Sequence, residues 1–165
     1  MTVHSLLRWV LPAGAALLLL ATAGYAQRPP TPTAGTARIW FYRDMAPYSS
    51  LATPYVRLNG VIAGVSQPGG ASYRDVPPGH YHITVDSYGV DFNQTRDVDL
   101  APGAEIYAKV VSNDNWIEGG GSRGGGGYHR DTFYVWLYPV EAAWPIIAQS
   151  WFYGGGLLTA ALPPY

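Results

Sequence analysis

The chain has 165 residues, a net charge of −1, only 13% charged residues and no cysteine. Disulfides and cysteine-based metal or redox chemistry are therefore excluded, and with no basic run, nucleic acid is not an expected partner. Aromatic content is high at 14%, which suits strands and adhesive surfaces alike.

The first 26 residues read as a cleavable signal peptide. His4 and Arg8 open it, an apolar run from Trp9 to Ala21 follows, and Gly24-Tyr25-Ala26 sets small residues at the −3 and −1 positions of a cut after Ala26. The apolar run is well short of the ~20 residues a spanning helix needs. Residues 27–35 carry Pro29, Pro30 and Pro32 and read as an extended linker. About 130 residues remain, enough for one domain with one modest core.

From residue 36 to about 140 the hydrophobic period is two, the period of strands. Ala37 to Arg43 opens the series, with Ile39 and Phe41 on one face and Trp40 and Tyr42 on the other. Residues 55–65 read as a hairpin about Asn59-Gly60, a dipeptide that accepts the positive φ of a type I′ turn. Pro77-Pro78-Gly79 marks a corner. The strand from His80 to Ser87 then sets Tyr81, Ile83 and Val85 against His80, His82, Thr84 and Asp86. Thr95 to Leu100 alternates with Asp97 and Asp99 outward, Ala101-Pro102-Gly103 turns the chain, and Glu105–Val111 and Thr132–Tyr138 complete the set. The expectation is an all-β fold: a small antiparallel β-sandwich of six to seven strands over residues 36–141. Residues 112–130, with glycines at 119–121 and 124–127, read as a flexible loop.

Residues 142–165 form an uncharged, aromatic C-terminal tail. Pro145 and Gly154 to Gly156 interrupt it, so no transmembrane helix is expected in the mature chain. A short helix over 145–152 packing on the sandwich is predicted instead. The tail is the part suited to peripheral membrane association. The strands are too few and too short for an outer-membrane barrel.

The motifs carry a resemblance. The strand Ala37 to Arg43, the Val56-Arg57-Leu58-Asn59-Gly60 hairpin, the Val76 to Tyr81 corner and the Leu100 to Tyr107 step, in that order and spacing, resemble the DUF2846 family of bacterial envelope domains, whose function is unknown. The resemblance spans residues 36–140. It implies a β-sandwich on an exported bacterial protein, and it supplies no catalytic residues.

Two candidate sites follow from the residues themselves. His80 and His82 share a strand face. In a hairpin centred near residues 90–91, His82 lies opposite Asp99 and Thr84 opposite Asp97. His80, His82 and Asp99 then offer two imidazoles and a carboxylate, a donor set for zinc; a solvated face with one His–Asp cross-strand pair is the plainer reading. The second candidate is an aromatic strip of Trp40, Tyr42, Tyr134, Trp136 and Tyr138, provided the first and last strands are neighbours. Against it stands the tail, whose Trp144, Trp151 and Phe152 suit a cover for that strip.

No nucleophile elbow surrounds a serine and no carboxylate pair marks a glycosidase cleft. No cofactor is expected. The leading expectation is an exported, non-enzymatic binding or structural domain of the envelope. It sits in the periplasm, outside the cell or at the outer membrane, with an envelope protein or cell-wall component as partner. The alternative is a metal-dependent or hydrolytic enzyme using His80, His82 and Asp99.

Overall fold

The computed structural model describes residues 31–47, 49–86, 95–117 and 128–158. The predicted signal peptide, the start of the linker, the run 118–127 and the last residues of the tail lie outside the described residues.

Nine strands and one helix follow in chain order: β1 Ala37–Tyr42, β2 Tyr55–Leu58, β3 Val61–Val65, β4 Gly70–Val76, β5 Gly79–Val85, β6 Arg96–Leu100, β7 Glu105–Ile117, β8 Tyr128–Tyr138, α1 Val140–Ile147 and β9 Trp151–Phe152. They build two sheets, a five-stranded one in the order β8-β7-β1-β4-β9 and a four-stranded one in the order β3-β2-β5-β6. The all-β sandwich is as expected. The strand count is higher than expected because Gly70–Val76 and Trp151–Phe152 form strands as well, and β7 and β8 run on into the predicted 112–130 loop. Their antiparallel register continues from Tyr107↔Tyr138 to Ile117↔Tyr128. Pairing with a partner strand holds Ser112 to Ile117 extended where local composition reads as loop.

The sandwich is also not wholly antiparallel: β1 pairs β7 in parallel, and β9 pairs β4 in parallel. β1 therefore occupies the middle of its sheet, with β4 on one side and β7 on the other.

The main core lies between the sheets. Ile39 and Phe41 of β1, Val56 and Leu58 of β2, Ile83 and Val85 of β5, Val110 of β7 and Phe133 and Val135 of β8 interdigitate there. Each is the inward member of an alternating pair, as period two dictates. The Asn59-Gly60 turn has φ of 48° and 80° at its two residues, the conformation a type I′ hairpin requires.

A second apolar layer covers the outer face of the five-stranded sheet. Trp40, Tyr42, Ala71 and Tyr107 project there and are buried against Ala143 and Ile147 of α1. The helix starts at Val140, earlier than predicted, and Phe152 belongs to β9. Ala143 and Ile147 sit at i and i+4 and so share one helical face. Trp144 meets Trp40 edge-on, ring centroids 5.6 Å apart, and Phe152 stacks on Tyr73 at 5.9 Å.

The chain then runs alongside β4 as a strap. Trp151 and Tyr153 donate to the carbonyls of Gly69 and Ala71 at 2.9 and 2.8 Å. Tyr73, Asp75 and Leu158 continue the ladder, the first two donating to Gly154 and Gly156 and the third donating to Asp75. The glycines let the strap lie flat on the aromatic layer: a Cβ at Gly155 would sit 2.0 Å from the Tyr73 ring.

One ion pair lies inside this outer layer. Arg38 and Asp75 face each other across β1 and β4. The Arg38 Nε and Nη2 donate to the two Asp75 oxygens at 2.6 and 2.9 Å, and the two side chains are only 3% and 6% exposed. Glu105, opposite Arg38 on β7, comes to 3.9 Å, and the Arg38 guanidinium lies 4.0 Å from the Tyr73 ring centroid. The Asp75 carboxylate raises the Arg38 pKa above its ordinary value through the hydrogen bonds, against the opposing effect of burial.

Two outcomes are expected in urea denaturation. Asp75→Ala removes the bidentate carboxylate partner of a buried guanidinium and costs about 3 kcal/mol, the low end for breaking a buried pair. Gly155→Ala pushes the strap off Tyr73 and costs about 1–3 kcal/mol; a change within ±0.5 kcal/mol would show that the strap does not bear on the sheet.

Candidate functional site

The predicted aromatic strip is divided by the fold. β7 lies between β1 and β8, so the two aromatic strands are not neighbours. Tyr107 of β7 stands between Trp40 and Tyr138, and Lys109 stands between Tyr42 and Trp136. Trp40 and Tyr42 are buried beneath α1, and burial raises the Tyr42 phenol pKa well above its ordinary value. The tail thus covers the half of the strip nearest the sheet centre.

The half on edge strand β8 stays open. Trp136 is 48% exposed and Tyr138 is 38% exposed, with Leu137 exposed between them and Tyr134 half-buried. Cations hold both exposed rings in place. The Arg96 guanidinium lies 4.8 Å from the Trp136 ring centroid, and the Lys109 ammonium lies 5.6 Å from that of Tyr138. Lys109 is itself anchored by a 2.8 Å hydrogen bond to Asp44. Beside them Glu105, Tyr107, Leu137, Tyr138 and Val140 line a groove of about 330 Å3. Tyr107 donates to Glu105 at 2.8 Å at its wall.

The outer face of the four-stranded sheet is polar over β5 and β6. The β5–β6 register differs from the predicted one: His80 lies opposite Asp99 and His82 opposite Asp97. The turn centre shifts by one residue, which moves every pair two positions. His80 Nδ1 is 2.9 Å from Asp99 Oδ1, His82 Nδ1 is 2.7 Å from Asp97 Oδ1, and His80 Nε2 reaches the same Asp97 oxygen at 3.5 Å. His80, His82 and Asp99 do share one face, but as two imidazole–carboxylate cross-strand pairs with Asp97 between the rings. Among the described residues no group of three or more histidine, aspartate or glutamate side chains is arranged to hold a metal ion.

Asn59 sets this ladder from the neighbouring turn. Its Oδ1 accepts from the His82 N–H at 2.7 Å, and its Nδ2 donates to the His80 carbonyl at 3.3 Å. The sequence reading takes Asn59 as a turn residue alone; its second task, across to β5, has no local signature. Asp44 and Asp75 are likewise visible only once the strands are paired.

The hydrogen bond to Asp99, with the nearby Asp97 charge, raises the His80 pKa above its ordinary 6.5. The hydrogen bond from His82, with both imidazolium charges, lowers the Asp97 pKa below its ordinary 3.8.

Comparison with family models, curated proteins and solved structures finds no match for this chain.

The stabilisation from protonated His80 is complete below about pH 6.5 and is lost as pH rises through its higher folded value; that from ionised Asp97 is complete above about pH 3.8 and is lost as pH falls through its lower one. Between those limits His80 is protonated and Asp97 is ionised. Proton-detected titration is expected to place the His80 pKa above 6.5, and Asp99→Asn is expected to bring it down toward that value. An unchanged His80 titration in the variant would show that the pair does not form in solution.

Proposed function

We propose that this chain is an exported, non-enzymatic envelope module that binds an envelope protein or a cell-wall component through the open end of its aromatic strip. The observation that carries the reading is the unequal burial of one aromatic surface: Trp40 and Tyr42 are sealed by α1, while Trp136 and Tyr138 stay exposed beside the 330 Å3 groove. Contiguous exposed aromatics on an edge strand, fixed by neighbouring cations, offer a large rigid contact at small entropic cost.

Export is supported by the apolar leader and the small residues before Ala26. Among the described residues no helix is long and apolar enough to cross a membrane. Kinship with the DUF2846 family fits the placement of its four motifs, which fall on β1, the β2–β3 turn, the β4–β5 corner and the β6–β7 step.

Binding is tested by co-sedimentation of the mature chain with insoluble bacterial cell-wall polymer and by pull-down from envelope extract. Trp136→Ala/Tyr138→Ala is expected to abolish retention in at least one assay, with a stability loss of about 1 kcal/mol or less because both sites are exposed. Equal behaviour of the double variant and the parent chain would overturn the reading.

A further inference from the structure

The sandwich has a second open side, at the opposite edge of the five-stranded sheet from β8. There the free edge of β3 faces the strap of residues 153–158, and between them runs a groove of about 440 Å3. Ile62 and Ala63 form one wall, Tyr153 and Leu157 the other, and the backbone of Gly154 to Gly156 lies along it. Arg74 of β4 lies in the groove.

Arg74, like Arg43 and Arg96, hydrogen-bonds to backbone carbonyls among the described residues, but of these three it is the one that lines this groove, whereas other cations are paired with carboxylates. Arg38 has Asp75, Arg57 has Asp86 at 2.8 and 3.0 Å, and Lys109 has Asp44. Arg74 is half-buried, and among the described residues its hydrogen-bond partner is a single carbonyl, that of Tyr73, at 2.8 Å from Nη1. Burial without a carboxylate lowers its pKa from the ordinary arginine value. A guanidinium has five donors in a planar fork matched to a carboxylate, so most of its capacity is unspent.

The space beside it is kept open by a missing side chain. Gly64 on β3 faces the guanidinium, and a Cβ there would lie 3.9 Å from Arg74 Nη2 and 3.8 Å from the Ser72 hydroxyl. Gly64 has no left-handed φ to demand glycine, whereas Gly60 and Gly69 do, at 80° and 67°. Its small size therefore counts as space rather than as a backbone requirement.

We propose that this groove binds an extended acidic peptide, with a carboxylate side chain of the peptide seated on Arg74. Charge complementarity selects the anion. The two-walled shape between the β3 edge and the strap selects an extended chain over a compact solute. Ile62 and Leu157, exposed on opposite rims, suit apolar side chains on either side of the acidic residue. The site lies on different strands from Trp136 and Tyr138, so either can fail without the other.

The test uses isotope-labelled protein and two amidated, N-acetylated pentapeptides, Thr-Val-Glu-Val-Thr and Thr-Val-Gln-Val-Thr, with acetate as a third arm. The Glu peptide is expected to shift the Arg74 Nε–H resonance and the Gly64 and Gly155 amides. It is expected to bind at least tenfold more tightly than the Gln peptide, as a charge-assisted bidentate contact does against a neutral one. Arg74→Gln removes that difference. Gly64→Glu, which keeps Arg74 and supplies a carboxylate from β3, blocks binding and reports even if Arg74→Gln folds poorly. Equal affinity for the two peptides, absent binding of both, or undiminished binding by Gly64→Glu overturns the proposal. So does saturation by acetate at the same concentration as the Glu peptide, which would mark a small-anion site without a peptide groove.

Discussion

β1 is buried on both faces along its whole length. That single constraint organises the rest. A strand with Ile39 and Phe41 on one side and Trp40 and Tyr42 on the other has no face to offer solvent, so its sheet needs two covers. The four-stranded sheet supplies one. The other has to come from outside the sandwich, and the chain supplies it with α1 and the strap. Burying each large side chain of this kind is worth about 1.5–3 kcal/mol relative to exposure, so Trp40, Tyr42, Tyr107 and Ile147 together make the outer layer a second core. Arg38 is drawn into it by position, and the Asp75 and Glu105 carboxylates beside it make its burial tolerable.

The two sheets thus have unequal outer faces. The five-stranded sheet is covered everywhere except at its edges: β8, where Trp136 and Tyr138 stay open, and the strap, where Arg74 and the glycines line a groove. Over β5 and β6 the four-stranded sheet needs no cover, because the outward histidines and aspartates are paired across strands, while Tyr55, Ile62 and Val65 leave its β2–β3 side partly apolar. Arg57 meets Asp86, His80 meets Asp99 and His82 meets Asp97. Exposed pairs of this kind add little stability; they keep that face wet and specify the β5–β6 register. The two surfaces proposed above for binding both lie along the rims of the five-stranded sheet.

What was legible in the sequence was period and punctuation. Ile39/Phe41, Tyr81/Ile83/Val85 and Val98/Leu100 declare strands, and Asn59-Gly60 and the Pro-Gly corners declare turns. Inward and outward were legible only where the outward residues are charged, as with His80, His82, Asp97 and Asp99. In β1 the outward residues are aromatic, and an aromatic reads the same under a helix as under water. A sign was available: Arg38 is a charge inside an otherwise apolar run, which points to a buried partner. Its identity, 37 residues away, depends on pairing that no local pattern encodes. The same holds for the extension of β7 and β8, where Asn113 and Thr132 face each other only because the strands inward of them already do.

The order in which these parts are synthesised has its own consequence. β1 is made early, β4 and β7 join it over intervals of roughly 35 and 70 residues, and the lid on Trp40 and Tyr42 is made last. Until residues 140–158 emerge, a nascent chain carries a nearly complete sheet with a bare aromatic face. Contacts of such sequence separation form slowly, and a partly covered sheet of this kind is the species that self-associates. A chain interrupted shortly before α1 should therefore be a client for holding chaperones, whereas one interrupted before β1 should not. The C-terminal segment, the least strand-like stretch of the fold, then sets the moment at which the protein becomes safe to release.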